Sequence, residues 1–198
     1  MSDIEISAEL TPNPNTLRFV VNRELLAAGS RDFPNAESAK DQPLPGALFE
    51  IEHVAGVLIG TDFITVTKKS SIDWPVAAVP VVEKIRVFLQ TGQPVVLPLS
   101  SPDDFAGDPL KMDSRFRGND TTIGGIEDKI CEILDNEIRP AVARDGGDII
   151  FYGYENGVVK LHLQGSCSSC PSSVMTLKVG IESRLKMAFP EIKEVIQV

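Results

Sequence analysis

Alternating hydrophobic and polar positions in the first half of the chain predict several strands and one long helix. Residues 16–21 alternate and are rich in β-branched side chains, which is typical of a strand. Two short apolar runs at 57–59 and 63–67 flank Gly60-Thr61-Asp62 and predict a hairpin. Apolar residues at helical spacing predict a helix over 75–89, and a shorter one is expected near 45–51. The polar stretch 29–45 predicts a loop.

The second half of the chain has a cleaner pattern. A helical stripe begins at Ile126 and continues to Val142, where Pro140 is expected to kink or shorten the helix. Strands are expected over 149–154 and from Val159 onwards, joined at Asn156-Gly157, a strong hairpin signal. A helix with apolar spacings of three or four follows, and 192–198 can form a last strand. The order α-β-β-α-β predicts a small α+β domain.

A polar stretch without periodicity separates these halves. Residues 98–124 are rich in Pro, Gly and Asp, and a structureless loop of this length is uncommon inside one compact domain. We therefore predict an N-terminal domain over 1–97, a flexible linker over 98–124 and a C-terminal domain over 125–198. The fold class is α+β, with two small mixed domains.

Charge and composition exclude some functions. The 198-residue chain has a net charge of −9 and no basic stripe, which argues against nucleic-acid binding. No apolar run reaches the roughly 20 residues that a membrane-spanning helix needs, so no membrane partner is expected. The N-terminus resembles neither a secretory signal nor a transit peptide. The three cysteines are an odd number in a chain of this size, which argues against a disulfide framework. We expect a reducing bacterial cytoplasm, with the mature form of a mitochondrial-matrix protein as the alternative.

Cys167 and Cys170 lie in the run Gly-Ser-Cys-Ser-Ser-Cys-Pro, where a predicted strand gives way to a predicted helix. Pro171 suits the first position of a helix, because its missing N–H would be unpaired there. The backbone N–H groups and the positive end of the helix dipole then favour thiolate over thiol. Thiolate is the form that binds metal or attacks disulfides, so these two residues are the candidate site.

Three chemistries compete for the two thiols, and a fourth interpretation, two inert cysteines, is disfavoured because both lie in a polar turn expected to be exposed. A thioredoxin-type redox site needs a larger parallel sheet than the 28 residues after Cys170 allow, and the strand before the motif is expected to belong to a hairpin rather than a βαβ unit. A structural zinc site needs four ligands, and only Cys131 and His162 could add to the pair. We expect Cys131 to be a small buried or half-buried side chain and His162 an exposed strand residue beside Lys160 and Gln164.

The third chemistry is an iron–sulfur cluster shared between two chains. A [4Fe–4S] cluster needs four thiolates, and a two-fold dimer would supply two from each subunit. Attachment at two points per chain would make such a cluster easy to release, which favours a carrier. Ser166, Ser168 and Ser169 could donate hydrogen bonds to its sulfurs, although small turn residues are the simpler interpretation. Residues 145–148, Asp-Gly-Gly-Asp, could lie near the cluster or simply shape a tight turn, and the tight turn is the favoured interpretation.

Both domains resemble those of a known family. The C-terminal domain is similar to the NifU C-terminal, or Nfu, domain throughout 126–198, and the N-terminal block is similar to the N-terminal domain of two-domain Nfu proteins. The matching segments are Ile138-Arg139-Pro140, 145–148, 157–159, 163–172 and 176–182 in the first case, and 11–17, 48–49, 62–67, Trp74 and 88–89 in the second. The family's usual Leu-Lys-Pro is Ala78-Val79-Pro80 here, and 111–120 reads as an inserted segment.

This resemblance implies a non-enzymatic iron–sulfur cluster scaffold or carrier. Cys167 and Cys170 would be the metal and cluster ligands, and no residue would be catalytic. The cargo would be a [4Fe–4S] cluster shared by two subunits, with [2Fe–2S] as the other option. Expected partners are a second copy of the chain, upstream cluster-assembly proteins and apo iron–sulfur clients, which the N-terminal block would recognise. Thiol–disulfide oxidoreduction with the same Cys-x-x-Cys pair is the alternative function.

Overall fold

The computed structural model describes residues 4–97, 125–166 and 171–198, with only the backbone described for 171–176. The N-terminal sheet has five antiparallel strands in the order β1-β2-β5-β4-β3. The strands are β1 (Ile6–Leu10), β2 (Thr16–Val21), β3 (Arg31–Phe33), β4 (Val54–Ile59) and β5 (Phe63–Lys68). The predicted hairpin is confirmed, because Gly60 N–H donates to Phe63 O across the turn between β4 and β5.

Two helices lie against this sheet. They are α1 (Pro43–Phe49) and α2 (Trp74–Gln90), and both begin with proline in the first turn, where no helical hydrogen bond is lost. Alternate residues of the strands, such as Phe19 and Ile64, are fully buried against α2 residues such as Ile85. The opposite, outer face of the sheet carries Leu58 and Thr65, which lie outside this core.

The C-terminal domain has the predicted α-β-β-α-β order. Its first helix comprises α3 (Ile126–Ile133), a π-helical segment (Leu134–Ile138) and α4 (Arg139–Arg144). The later elements are β6 (Gly147–Glu155), β7 (Val158–Gly165), α5 (Pro171–Ala188) and β8 (Glu194–Gln197). Asn156 and Gly157 have φ values of 54° and 90°, the left-handed conformation that the predicted hairpin turn requires. A second core, separate from the first, includes Ile130, Leu161 and Leu185.

The structure corrects several sequence-based predictions. Strand β3 lies inside the region predicted to be a loop, and β1 was not predicted. The π-helical segment directly precedes Pro140, so the expected irregularity is a widened turn rather than an end of the helix. Strand β7 pairs with β6 in antiparallel fashion but with β8 in parallel across α5. The expectation that β7 lies outside a βαβ unit was therefore wrong, because the strand belongs both to a hairpin and to a β7-α5-β8 crossover.

The two domains confirm the α+β class, and their predicted limits at 97 and 125 remain predictions. The linker predicted over 98–124 lies outside the described residues. Among the described helices, none combines the length and apolar character that crossing a membrane would require.

Candidate metal-binding site

In the sequence, the predicted ligand pair falls between the central strand of the C-terminal sheet and the last helix of that domain. Strand β7 ends at Gly165, and α5 begins at Pro171, as predicted for a proline at the first helical position. Cys167 and Cys170, together with Ser168 and Ser169, lie outside the described residues. The geometry of the site is therefore given by Gly165, Ser166 and the elements that hold them.

A glycine turn after α4 supports the end of β7. Gly146, with a φ of 76°, ends the helix in the left-handed conformation, and its carbonyl accepts a hydrogen bond of 3.2 Å from Ser166 N–H. The Ser166 hydroxyl donates to the carbonyl of Asp145. Ser166 is only 2% exposed. This hydroxyl thus stabilises the turn, which supports the structural interpretation of Ser166, and the turn predicted over 145–148 lies directly beside the residue that precedes Cys167.

Asp148 connects the turn to the first helix of the domain. Its carboxylate is buried, and Oδ1 accepts a 2.7 Å hydrogen bond from Ile149 N–H and lies 3.3 Å from Arg139 Nε. Arg139 also donates to Ile149 O at 3.0 Å and pairs with Asp135 at 2.8 Å. The other carboxylate oxygen, Oδ2, accepts a hydrogen bond from Ser30 of the N-terminal domain. A buried carboxylate therefore has a charged partner and hydrogen bonds on both sides, as burial requires.

The outer face of the N-terminal sheet lies against the same turn. Asn13 Nδ2 donates to the Ser166 carbonyl at 3.1 Å in a buried contact. A Cβ atom placed on Gly165 would lie 2.9 Å from Leu58 Cδ2, and one on Gly146 would lie 2.9 Å from Thr65 Oγ1. The two glycines thus let the N-terminal domain approach the end of β7 closely. Sequence reasoning included Asn13 only in a matching segment and gave no role to Leu58 or Thr65.

Asp32 on β3 is a further residue of this contact that sequence reasoning missed. Its carboxylate accepts hydrogen bonds from the backbone N–H groups of Gly165 and Phe33 and lies near His162. Burial raises the pKa of Asp32 from its ordinary 3.8 to about 6, and the positive charge of His162 and the two hydrogen bonds partly oppose this rise. Asp32 lies between Arg31 and Phe33, and no local pattern marked it because the strand itself was not predicted.

The structure describes both other soft candidates for a metal site, Cys131 and His162. Cys131 is half-buried, as predicted, and burial together with the negative charges of Asp135, Asp128 and Glu127 raises the pKa of its thiol to about 11. His162 is half-buried rather than exposed, and its Nδ1 lies 2.5 Å from the Val198 carbonyl. Within the described residues, no group of three His, Cys, Asp or Glu side chains could hold a metal ion. A zinc site that joins Cys131 and His162 to Cys167 and Cys170 would include residues outside the described ones, so it stays a prediction.

Fold and site together define a two-domain α+β protein that carries a Cys-x-x-Cys pair between a strand and a helix of its second domain. Residues 130–196 match the NifU-like domain, and residues 6–92 match the family described as scaffold protein Nfu/NifU N terminal. The chain therefore belongs to the NifU-like/Nfu scaffold family in its two-domain form.

Individual relatives agree with this assignment. The human protein named NFU1 iron-sulfur cluster scaffold homolog, mitochondrial, is 41% identical over 194 residues, covering 98% of this chain and 71% of its own length. The protein of the same name from Drosophila erecta is also 41% identical, but the chain spans 64% of its length. The solution structure of a NifU-like protein from Saccharomyces cerevisiae is a more distant likeness, with 22% sequence identity and a TM-score of 0.44. The match covers 48% of this chain and 87% of the yeast chain.

Proposed function

We propose that this chain is a non-catalytic iron–sulfur cluster scaffold and carrier. Two subunits bind one labile [4Fe–4S] cluster through Cys167 and Cys170 of each, and the cluster passes to apo-proteins by stepwise ligand exchange. The observation that carries the proposal is the position of the Cys-x-x-Cys pair between the end of β7 and the start of α5 in a NifU-like domain. The scaffold names of the relatives support it.

The chemistry of the flanking elements fits an anionic cargo. The N-terminus of an 18-residue helix begins at Pro171, directly after Cys170, and such an end favours thiolates and negative charge. The strand before the pair is fixed on both sides by β6 and β8, and Ser166 is bonded to the turn at Gly146. In the sequence, a strand paired on both sides precedes the predicted ligands and a helix end follows them. Two thiolates from each chain complete the four that the cluster needs.

The first experiment removes the predicted ligands one at a time. Each variant, Cys167→Ser or Cys170→Ser, is reconstituted anaerobically with iron and sulfide and should lose the iron–sulfur absorption at about 400 nm. Cys131→Ser is the matched control and should keep this absorption. The unaltered chain should bind about four irons per dimer and shift from monomer to dimer on loading. Stoichiometric iron in either ligand variant, or a loaded monomer, would refute the proposal.

The same preparations distinguish the rival functions. A thiol–disulfide oxidoreductase would remain colourless and reduce insulin-type disulfides, and a zinc module would contain tightly bound zinc when isolated. Two irons per dimer instead of four would make [2Fe–2S] the cargo. The β7-α5-β8 unit removes one objection to a redox site, but the three described strands of the C-terminal sheet do not form the larger parallel sheet that a thioredoxin-type site needs.

The partners follow from the cargo. Upstream assembly proteins would supply the cluster, apo iron–sulfur proteins would receive it, and the N-terminal domain would recognise these clients. The separate hydrophobic cores of the two domains support a division of labour, because each domain has what it needs to fold. Deleting 1–97 should then preserve iron binding and slow transfer to clients, and equal transfer rates would count against client recognition.

The cell compartment is also part of the proposal. The names of both relatives above include the word mitochondrial, which supports the alternative of a mature mitochondrial-matrix protein. No relative described above supports the bacterial-cytoplasm prediction. Immunodetection of the native protein in fractionated source cells, with protease protection of the isolated mitochondria, would test this assignment; detection in the cytosol alone would refute it.

A further inference from the structure

The outer face of the N-terminal sheet is buried although it has no helix of its own to cover it. Leu58 of β4 and Thr65 of β5 are each 1% exposed, and neither belongs to the N-terminal core formed with α1 and α2. Gly165 and Gly146 of the C-terminal domain lie close against them, since an added Cβ on either glycine would come within 2.9 Å of one of these side chains. The C-terminal domain is therefore what covers this face.

The polar face of β7 is the other half of the contact. Sequence reasoning placed Gln164 on an exposed strand face with Lys160 and His162, yet Gln164 is only 6% exposed. Strands β4 and β5 both contact β7. Since β7 has one face in the C-terminal core and the other against the N-terminal sheet, the strand that leads to Cys167 is enclosed by both domains.

Three hydrogen bonds fix the position of this contact. Asn13 donates to the Ser166 carbonyl, Ser30 donates to Asp148, and Asp32 accepts from the N–H of Gly165. The first reaches Ser166, which precedes Cys167, and the second reaches the buried Asp148 carboxylate beside the glycine turn. The third reaches Gly165, the last residue of β7. These three anchors of the N-terminal domain, taken from the described residues, thus hold the residues that immediately precede or support the predicted ligand pair.

The same contact contains features that favour separation. Within the described part of the chain, Thr65 Oγ1 and Gln164 Oε1 are buried without a hydrogen-bond partner. A buried polar atom without a partner is unfavourable, and water would satisfy both atoms once the domains part. Each domain also keeps its own hydrophobic core, so separation requires neither domain to unfold. The contact is therefore specific in position but suited to release.

We propose that this contact is an autoinhibitory closed form, in which the N-terminal sheet occupies the surface that a second copy of the C-terminal domain must approach. The inference rests on the proposed function, because only a cluster shared by two chains requires that second copy. Closure holds the end of β7 through Ser166 and Gly165 and places a whole domain beside it. Release of the N-terminal domain precedes dimerisation and cluster loading.

A charge on the hidden sheet face tests the closed form without touching the predicted ligands. Leu58→Asp places a carboxylate against Gly165 in the closed form but in water after release, so it favours the open form. Leu10→Asp is the matched control, because Leu10 on β1 is 87% exposed. In the full-length, metal-free chain, amide hydrogen exchange at Gly165 should be at least about tenfold faster in Leu58→Asp and unchanged in Leu10→Asp, since burying an unpaired charge is strongly unfavourable.

A second variant guards against damage to the N-terminal domain itself. Thr65→Arg introduces a long side chain on the same face, with Ser7→Arg on the exposed edge strand as its control. The fluorescence of Trp74, whose ring packs at 6.5 Å from Phe19, reports whether the N-terminal core is intact. Faster Gly165 exchange with unchanged Trp74 fluorescence in either variant supports the closed form. Unchanged exchange in both variants overturns it.

The loading rate separates this inference from the proposed function. In anaerobic reconstitution, Leu58→Asp should load iron and dimerise several-fold faster than the unaltered chain and reach the same endpoint of about four irons per dimer. Equal loading rates despite faster Gly165 exchange would show that the closed form does not inhibit. Failure of every form to bind iron would refute the scaffold instead, because the exchange measurement contains no metal.

Discussion

Replacing Gly165 by alanine should destabilise the C-terminal domain by several kcal/mol. Gly165 has a φ of 66°, and an added Cβ would lie 2.7 Å from the Gly146 carbonyl oxygen, 2.9 Å from Leu58 Cδ2 and 3.2 Å from Gly147 Cα. The left-handed conformation costs an L-residue roughly 1–2 kcal/mol, and overpacking costs about 1–3 kcal/mol more. The leucine can move away with its domain, but the Gly146 carbonyl is backbone of the same turn. We therefore expect a total loss of about 2–5 kcal/mol.

Gly92→Ala is the matched control for this prediction. Gly92 follows α2 with a φ of 70°, and an added Cβ there would meet nothing within 4 Å. This control should lose only the conformational part, roughly 1–2 kcal/mol, from the N-terminal domain. The difference between the two variants isolates the steric contact at the end of β7.

Urea unfolding provides the assay. Far-UV ellipticity follows both domains, and the single tryptophan, Trp74, follows the N-terminal domain alone. The unfolding of the C-terminal domain is the part of the ellipticity change that Trp74 fluorescence does not follow. With an m-value of about 1–3 kcal/mol per molar urea, Gly165→Ala should lower the urea midpoint of that transition by on the order of 1 M or more. A decrease no larger than that of Gly92→Ala would refute the steric reasoning and the close packing of the glycine turn.

Two further outcomes follow from the titrating groups. Cys131→Ala should leave the iron content unchanged. At pH 8 the Cys131 thiol should be alkylated about one hundredth as fast as a thiol with the ordinary pKa of 9.0, because its pKa of about 11 leaves little thiolate. Alkylation at the ordinary rate would contradict the raised pKa. The raised pKa of Asp32 means that the folded chain binds the proton of this carboxyl group more tightly than the unfolded chain does. The contribution of protonated Asp32 to folding stability is therefore present below about pH 4 and is lost as the pH rises through about 6. When the urea midpoint is measured from pH 4 to 7, Asp32→Asn should lack the decrease in stability that the titration of Asp32 causes in the unaltered chain. Identical midpoints for both proteins across this pH range would exclude a buried Asp32.

Local sequence patterns predicted most of the regular elements. The alternation at β2, the Asn156-Gly157 turn and the proline at the start of α5 each encode their structure within a few residues, and all three are confirmed. Strand β3 was not predicted because three residues are too few for a periodic signal, and its pairing with β4 is a non-local contact. The parallel pairing of β7 with β8 was missed for the same reason, since it depends on the crossover of α5.

The candidate site shows the same limit more sharply. The Cys-x-x-Cys pair and the glycine turn were evident from residue types, but the contribution of the N-terminal domain was not. Gln164 has the polar character of an exposed residue, and only the approach of another domain buries it. Asn13 and Ser166 are 153 positions apart, and no spacing rule connects them. Interdomain contacts depend on tertiary geometry, which a single sequence does not display.

The widened helical turn at Leu134–Ile138 constrains how this sequence can change over time. One residue deleted there would restore a regular α-helix but rotate everything after it by about 100° around the helix axis. Arg139 would then point away from Asp148, and Val142 would leave the core. Insertions and deletions should therefore be far rarer in these five positions than in the surface turns of the same domain, even though three of their side chains are exposed.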